Sequence, residues 1–451
     1  MKRFALLLAV VSSVAMPAAG ATRPHYGGTL RATTEEVLPS LDPVIGNSIW
    51  HRNLTALLFD TLVTIDQQNR IQPALATSWR GDPGDQRWTF VLRPQVVFHD
   101  GTPVTSDSVA ASLRTAQPGW KIYATSDSVV IETSAPTPNL PAELAENRNA
   151  IAKRDGLANI VGTGPFRVTS WTPGKQLTAT AHTDYWNGRA FVDSIQVDMG
   201  VPSREQVMAL ELGKIQVADL VPEQAHRAAM DGDRIVASFA RELVALVFTR
   251  GADSSDEANV REVLSLAIDR NSIGTVLLGG SGEPAGSLLP NWMTGYAFVF
   301  EPTFNLQDAR ERRTNAGKTP HWSLAYDSAD PMARTLAERV ELNAQDVGIS
   351  LHMTSVPNPD IRLVRIPFAS PDPEVALNSF SSELGISPPK QGKRSAEDLY
   401  HAESAILEQH MVIPLVFLPA RYVIAASVQD WSQTRLGTWQ PQNIWLAGTA
   451  P

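Results

Sequence analysis

Several short motifs carry residue types that could do chemistry. His99-Asp100-Gly101 sets an imidazole beside a carboxylate, the start of a catalytic dyad. Neighbours in a tight turn do not aim at one target, so the motif reads as a turn. Gly162-Thr163-Gly164 lacks the third glycine of a dinucleotide loop, and Pro165-Phe166 continues as a strand. Gly279-Gly280-Ser281-Gly282 lacks the Gly-Lys-Ser/Thr ending of a phosphate loop and reads as a connection. The 9 histidines are scattered, with no His-x-x-x-His pair for a helical metal site, and no Gly-x-Ser-x-Gly elbow occurs. Acid pairs such as Glu35-Glu36, or Asp184 with Asp193, could in principle run a two-carboxylate hydrolysis, but such pairs ordinarily form a solvated face. The absence of Cys excludes disulfides, thiolate zinc sites, iron–sulfur clusters, cysteine nucleophiles and a lipid on an N-terminal cysteine. What remains is aromatic: of 11 Trp, Trp50, Trp120, Trp292, Trp322, Trp439 and Trp445 fall outside clear strand cores. They could form apolar walls for an amphipathic ligand, or simply pack.

The elements that would hold these residues alternate between strand and helix. Thr29–Thr33, Trp88–Arg93, Thr125–Thr133, Phe191–Met199 and Leu243–Phe248 read as strands, as do two segments around the Pro173-Gly174 turn. Residues 52–64 carry a helical apolar pattern. Thr105 reads as the N-cap of the helix that follows it, with Asp107 in its first turn. Arg204–Leu212, Asp256–Leu278, Pro331–Gln345 and Ala396–Gln409 read as helices, and Ile349–Met353 as a strand after the third of these. Residues 385–394 read as an exposed loop. Val412–Ala426 is apolar and β-branched with Pro414 and Pro419 inside it, which suits a crossing or edge strand. The order predicts an α/β protein without internal repeats.

A chain of 451 residues suggests roughly two to four domains or lobes. With 43% hydrophobic and 19% charged residues it should be globular. The net charge of −9 argues against nucleic acid and anionic membranes as partners. Met1-Lys2-Arg3, the apolar run Phe4–Met16 and the small residues Ala19-Gly20-Ala21 form a secretory signal peptide pattern over residues 1–21. Its apolar run falls short of the roughly 20 residues of a membrane span. No later run reaches that length either, so the expected location is the periplasm, without a lipid anchor or stable membrane insertion.

Taken in order, a set of segments resembles the extracytoplasmic solute-binding proteins of family 5, the dipeptide-, oligopeptide- and nickel-binding receptors of ABC importers. They are Gly27-Gly28-Thr29-Leu30 with Ser40-Leu41-Asp42-Pro43; Trp88–Arg93 with Val97–Thr105; Gly162–Phe166; Asp184-Tyr185-Trp186-Asn187-Gly188; Val260–Leu264 with Ala267–Arg270; Pro371-Asp372-Pro373; and Ile413-Pro414-Leu415. The resemblance implies a two-lobe periplasmic-binding-protein fold of type II, cluster C-like. Lobe I would comprise residues 22–247 plus 413–451, with an extra subdomain near 51–161, and lobe II residues 248–412. The apolar strands Leu243–Phe248 and Val412–Val416 would carry the chain between the lobes. Two departures stand out. Peptide-binding members usually have an acid just before Asp372-Pro373, to hold the peptide's α-amino group, whereas this chain reads Pro367-Phe368-Ala369-Ser370. Ser108 also stands where the family commonly has an acid.

On that resemblance the chain is a non-enzymatic receptor without cofactor or metal, a monomer that captures a small molecule or peptide and presents it to the permease subunits of a transporter. Mapped by position, the cleft candidates are Asn47, Ser48, Trp50 and Trp120 from lobe I, Phe248 and Arg250 at the first crossing, and Trp292, Tyr326, Arg365, Phe368 and Ser381 from lobe II. Arg365 could grip a ligand carboxylate with both prongs of its guanidinium, or form a surface ion pair. An exported hydrolase using paired carboxylates, and a receptor-like scaffold without transport, are the other readings.

Overall fold

The computed structural model describes residues 23–155, 159–219, 224, 230, 234–316, 321–356, 358–386 and 395–447. The signal pattern and most of the loop expected at 385–394 lie outside the described residues. Among the latter, an eleven-stranded mixed sheet runs through the molecule. Its main path is Phe166–Thr172, Gln176–Ala181, Ser194–Asp198, Thr29–Thr33, Val217–Asp219, Val412–Ile424, Arg234–Phe248, Ile361–Pro367, His321–Ala325 and Ser350–Met353. The first five strands belong to one half of the molecule and the last three to the other. The two long strands between them pair antiparallel, from Arg234 opposite Ile424 to Val247 opposite Val412.

Each half has its own core. Leu30, Leu54, Phe166, Ile195, Tyr422 and Trp439 anchor the first. Val260, Leu264, Trp322, Leu336 and Leu415 fill one face of the second, and Leu288, Phe368, Phe380 and Phe417 the other. A third unit is a four-stranded antiparallel sheet in the order Ala76–Gly81, Arg87–Leu92, Ser128–Glu132, Lys121–Ala124. Helix Ser106–Ala116 packs on it through Val109, Ala110 and Leu113, closing a core with Phe90, Phe98 and Ile131. Thr105 caps this helix by accepting from Ser108 N–H, while Ser108 Oγ accepts from Thr105 N–H at 2.9 Å. Ser108 therefore completes the capping box without an acid.

The structure departs from the sequence reading in instructive places. The strand expected at Leu243–Phe248 begins nine residues earlier, at Arg234, where solvent-facing positions hide the signal. The helix expected over Asp256–Leu278 stops at Ala267. Asp269 interrupts it: its carboxylate accepts from Ser272 N–H at 3.0 Å and opens a new helical turn. Strand Ile361–Pro367 and helix Pro373–Glu383 escaped the sequence reading altogether. Asp372-Pro373 is that helix's start. Asp372 accepts from the N–H groups of Glu374 and Val375, both at 3.0 Å, with Pro373 at the first helical position.

Candidate functional site

Helix Ile49–Leu58 sets one wall of the site. Ser48 caps it, accepting from His51 N–H at 3.1 Å, and its apolar face buries Trp50, Leu54, Leu57 and Leu58. Its end is clamped by the Gly162-Thr163-Gly164 motif. Gly164 N–H donates to Leu58 O at 3.0 Å, and a Cβ on Gly162 would sit 1.8 Å from that same oxygen. Only glycine permits this approach. The clamp delivers Thr163 to Asp60, whose carboxylate accepts from Thr163 Oγ1 at 2.8 Å, Tyr185 Oη at 2.8 Å and Trp186 Nε1 at 3.2 Å. Burial pushes the Asp60 carboxyl above its ordinary value, and these three donors only partly offset it.

Asp60 stands in the wall of a cavity of about 540 Å³. The other walls are Arg52, Arg93, Tyr185-Trp186-Asn187, Ala369-Ser370-Pro371 and the stretch Thr434–Gln442. Residues of both sheet halves, the subdomain and the C-terminal segment thus meet there. Arg52 links them: its Nη1 donates to Phe368 O at 2.5 Å, while Nε and Nη2 donate to Asn47 Oδ1 at 2.9 and 2.6 Å. Burial, reinforced by Arg241, lowers Arg52 to about 9. Arg93 donates from Nε to Ala74 O at 2.9 Å and lies over the Trp186 ring, 4.3 Å from its centroid. A second cavity of about 480 Å³ adjoins through Thr434 and Arg435, which line both. Arg435 donates from Nε to Gln67 O at 2.6 Å, and its guanidinium lies 5.3 Å from the Phe239 ring centroid and 5.7 Å from that of Trp292.

None of the eleven residues proposed from sequence lines the larger cavity. Trp50 is fully buried among Tyr422 and Trp439 and donates from Nε1 to Asp219 at 2.7 Å. Trp120 packs on the subdomain core. Phe248 is buried edge-on to Trp322 beneath the Arg261 guanidinium, and Tyr326 packs on that same core. Arg250 is exposed and pairs with Asp253 and Glu257. Ser381 is buried and donates to Leu377 O at 2.8 Å. Ser48 is a helix cap. Three of the eleven come near the site: Asn47 and Phe368 hold Arg52, and Trp292 flanks Arg435.

The carboxylate grip expected of Arg365 is already taken. Its Nη2 donates to Glu242 Oε1 at 2.5 Å and its Nη1 to Asp330 Oδ2 at 2.8 Å. Burial alone would push the Glu242 carboxyl up, but Arg365 and Arg241 override it and hold the group below its ordinary value. The sequence reading missed Asp60, Arg93 and Arg435. Two signals did point here. The Asp184–Gly188 motif supplies Tyr185 and Trp186, and the Ala369-Ser370 departure lies in the cavity wall itself.

This arrangement, two sheet halves joined by crossing strands with a cavity walled from both, is the fold of type II periplasmic binding proteins. AgaA from A. tumefacien R10, solved in complex with agropinic acid, superposes with a TM-score of 0.78 over 94% of this chain and 99% of its own, at 19% identity. Nickel-binding protein NikA of Staphylococcus aureus is 23% identical over 320 residues, 66% of this chain and 64% of that protein. Periplasmic oligopeptide-binding protein OppA of Haemophilus influenzae is 22% identical over 365 residues, 69% and 66% respectively. The sequence matches thus span slightly under two thirds of the length of NikA and OppA. The family model for bacterial extracellular solute-binding proteins, family 5, middle part, matches residues 70–388, and the chain belongs to that family. Among the described residues no helix is long and apolar enough to cross a membrane.

Proposed function

We infer that the chain is the solute-capturing component of an ABC importer, working in the periplasm as a monomer and handing a small peptide or peptide-like solute to permease subunits. The observation that carries this reading is the cavity at the junction: segments from both sides of the crossing strands wall it, so a ligand inside touches both. We take residues 22–247 with 413–451 as one lobe, including the subdomain near 51–161, and residues 248–412 as the other. A ligand held by both lobes when shut and by one when open favours the shut form by the difference in contact energy. Enclosure strips water from the ligand, which strengthens the polar contacts and favours apolar burial by ~25 cal/mol per Å².

Binding without reaction fits the acids of the cavity. Asp60 is occupied by three neutral donors. Asp66 accepts first of all from Arg70 N–H, and with Gln72 and Gln68 these bonds hold it down to about 2. A two-carboxylate hydrolase needs both acids free to reach the substrate and a water, whereas the oxygens of Asp60 and Asp66 are already taken by donors of the protein. The test is mass spectrometry of solute released when the purified protein is denatured, paired with small-angle scattering before and after the solute is restored. The expected result is a stoichiometric small molecule and a smaller radius of gyration on its return. Turnover of the released compound would overturn the reading.

A further inference from the structure

Three guanidiniums line the larger cavity, and they differ in what they still have to give. Arg52 is spent on Phe368 O and Asn47 Oδ1, with Glu146, Glu242 and Glu383 close enough to influence it. Arg93 and Arg435 share a different design. Each is pinned by Nε to a main-chain carbonyl and laid over aromatic rings. Among the described residues neither forms an ion pair, and neither has a partner for its two Nη groups. Guanidiniums fixed this way keep their forked edge free for a planar oxyanion, and the aromatic faces hold that edge in place at little cost in hydration. The acids in the same wall do not balance them: Asp60 is buried under its three donors, and Asp66 is committed to Arg70, which donates from Nε at 2.9 Å.

Position adds to charge. Arg93 faces the larger cavity beside Trp186, whereas Arg435 stands where the two cavities join. A solute that reaches from the larger cavity into the second passes Arg435 at the junction, with Arg93 in the wall of the larger cavity alone. Among the described residues no carboxylate in the wall is left free for an ammonium group. Ala369 and Ser370 stand in the wall, and Ser370 Oγ accepts from Asp372 N–H at 3.2 Å.

We propose that the captured solute is an elongated dianion whose two oxyanion groups, carboxylate or phosphate, are gripped separately by Arg93 over Trp186 and by Arg435 beside Phe239 and Trp292. The proposal rests on the receptor reading and narrows its cargo. Calorimetric titration of the full-length protein tests it with four blocked dipeptides of similar size: acetyl-Glu-Glu-amide, acetyl-phosphoSer-phosphoSer-amide, acetyl-Gln-Gln-amide and acetyl-Lys-Lys-amide. One of the two acidic peptides should bind at least about ten-fold more tightly than the neutral one, and the better of them identifies the oxyanion. Its affinity should fall with added NaCl. Arg93→Gln and Arg435→Gln should each weaken it by about ten-fold, while Arg334→Gln, at an exposed ion pair, should leave it unchanged.

Equal or tighter binding of the neutral or basic peptide, or acidic binding indifferent to both cavity substitutions, would overturn the dianion assignment and leave the receptor reading standing. Silence from all four peptides also overturns the assignment. The receptor reading falls only if, in addition, denaturation of the native protein releases no solute.

Discussion

Two arginine environments in this protein behave in opposite ways. At the crossing strands Arg365 sits between Glu242 and Asp330, with Arg241 on the far side of Glu242. Every charge there answers another, so the group works as structure. In the cavity Arg93 and Arg435 are held by carbonyls and ring faces, with no carboxylate paired to them among the described residues. Residue type alone points to Arg365 as readily as to the other two. What separates them is whether the fold has already supplied the anion.

Four measurements would break or sharpen that contrast. The largest effect belongs to the neutralised group. Glu242→Gln leaves Arg365 and Arg241 without their shared carboxylate, and should cost about 3–5 kcal/mol in urea denaturation. A loss below about 1 kcal/mol would show that the group is not needed for stability. Next is the clamp that places Asp60 and Trp186. Gly162→Ala drives a Cβ to 1.8 Å from Leu58 O, and the helix end must shift. A loss of about 3 kcal/mol is expected from thermal unfolding.

A smaller effect is pH-dependent and arises between the subdomain and the opposing half. Burial raises Glu146 to about 7 against the pull of Arg148 and Arg52. Burial, then Glu146, Asp372 and Glu374, raises Glu143 to about 7 as well. The unfolded chain loses these protons near 4.5 while the folded chain keeps them, so stability falls as pH rises from about 4.5 to about 7, by on the order of 2 kcal/mol. His99, lowered by burial to about 4, works in the other direction: its share is present above about 6.5 and lost as pH drops towards 4. The wild type minus Glu146→Gln difference in urea midpoint across this range isolates the carboxyl. A difference that does not change with pH would contradict the assignment. The smallest stability effect belongs to the cavity. Arg93→Gln and Arg435→Gln should each change unfolding free energy by no more than about 0.5 kcal/mol, even where ligand affinity drops. Losses matching that of Glu242→Gln would erase the distinction between the two environments.

The fold was largely legible because its signals are local. Val260, Val263, Leu264 and Ala267 fall at helical spacing, Thr105 announces a cap, and the order of family-like motifs links distant segments. Helix Pro331–Gln345 has the bounds that its pattern predicts. Strand Ile361–Pro367 also begins with an alternating pattern, but Arg365 interrupts it and disguises a strand that lies between two others. The site was less legible, because a cavity depends on which side chains the packing leaves unsatisfied. Trp50 and Phe248 were attractive as aromatics, and burial consumed both. Arg435 lies in an irregular stretch near the C-terminus, and nothing in its neighbours shows that the chain brings it to Gln67 and Phe239. Trp186 was in view all along as part of a motif, but the motif's spacing does not reveal that its ring carries Arg93.

The two crossing strands have a mechanical consequence. Their ladder is irregular between Ala237 and Ala240, between Ala240 and Glu242, and between Val244 and Ala245; Pro419 and Pro414, which have no N–H to contribute, face Ala240 and Ala245. An intact ribbon of two strands is stiff against bending within its own plane, so swinging one half against the other must wind or unwind it, and the winding will concentrate where rungs are missing. Those missing rungs flank Glu242. The ribbon is therefore built like a torsion bar whose soft length lies beside a charged rivet.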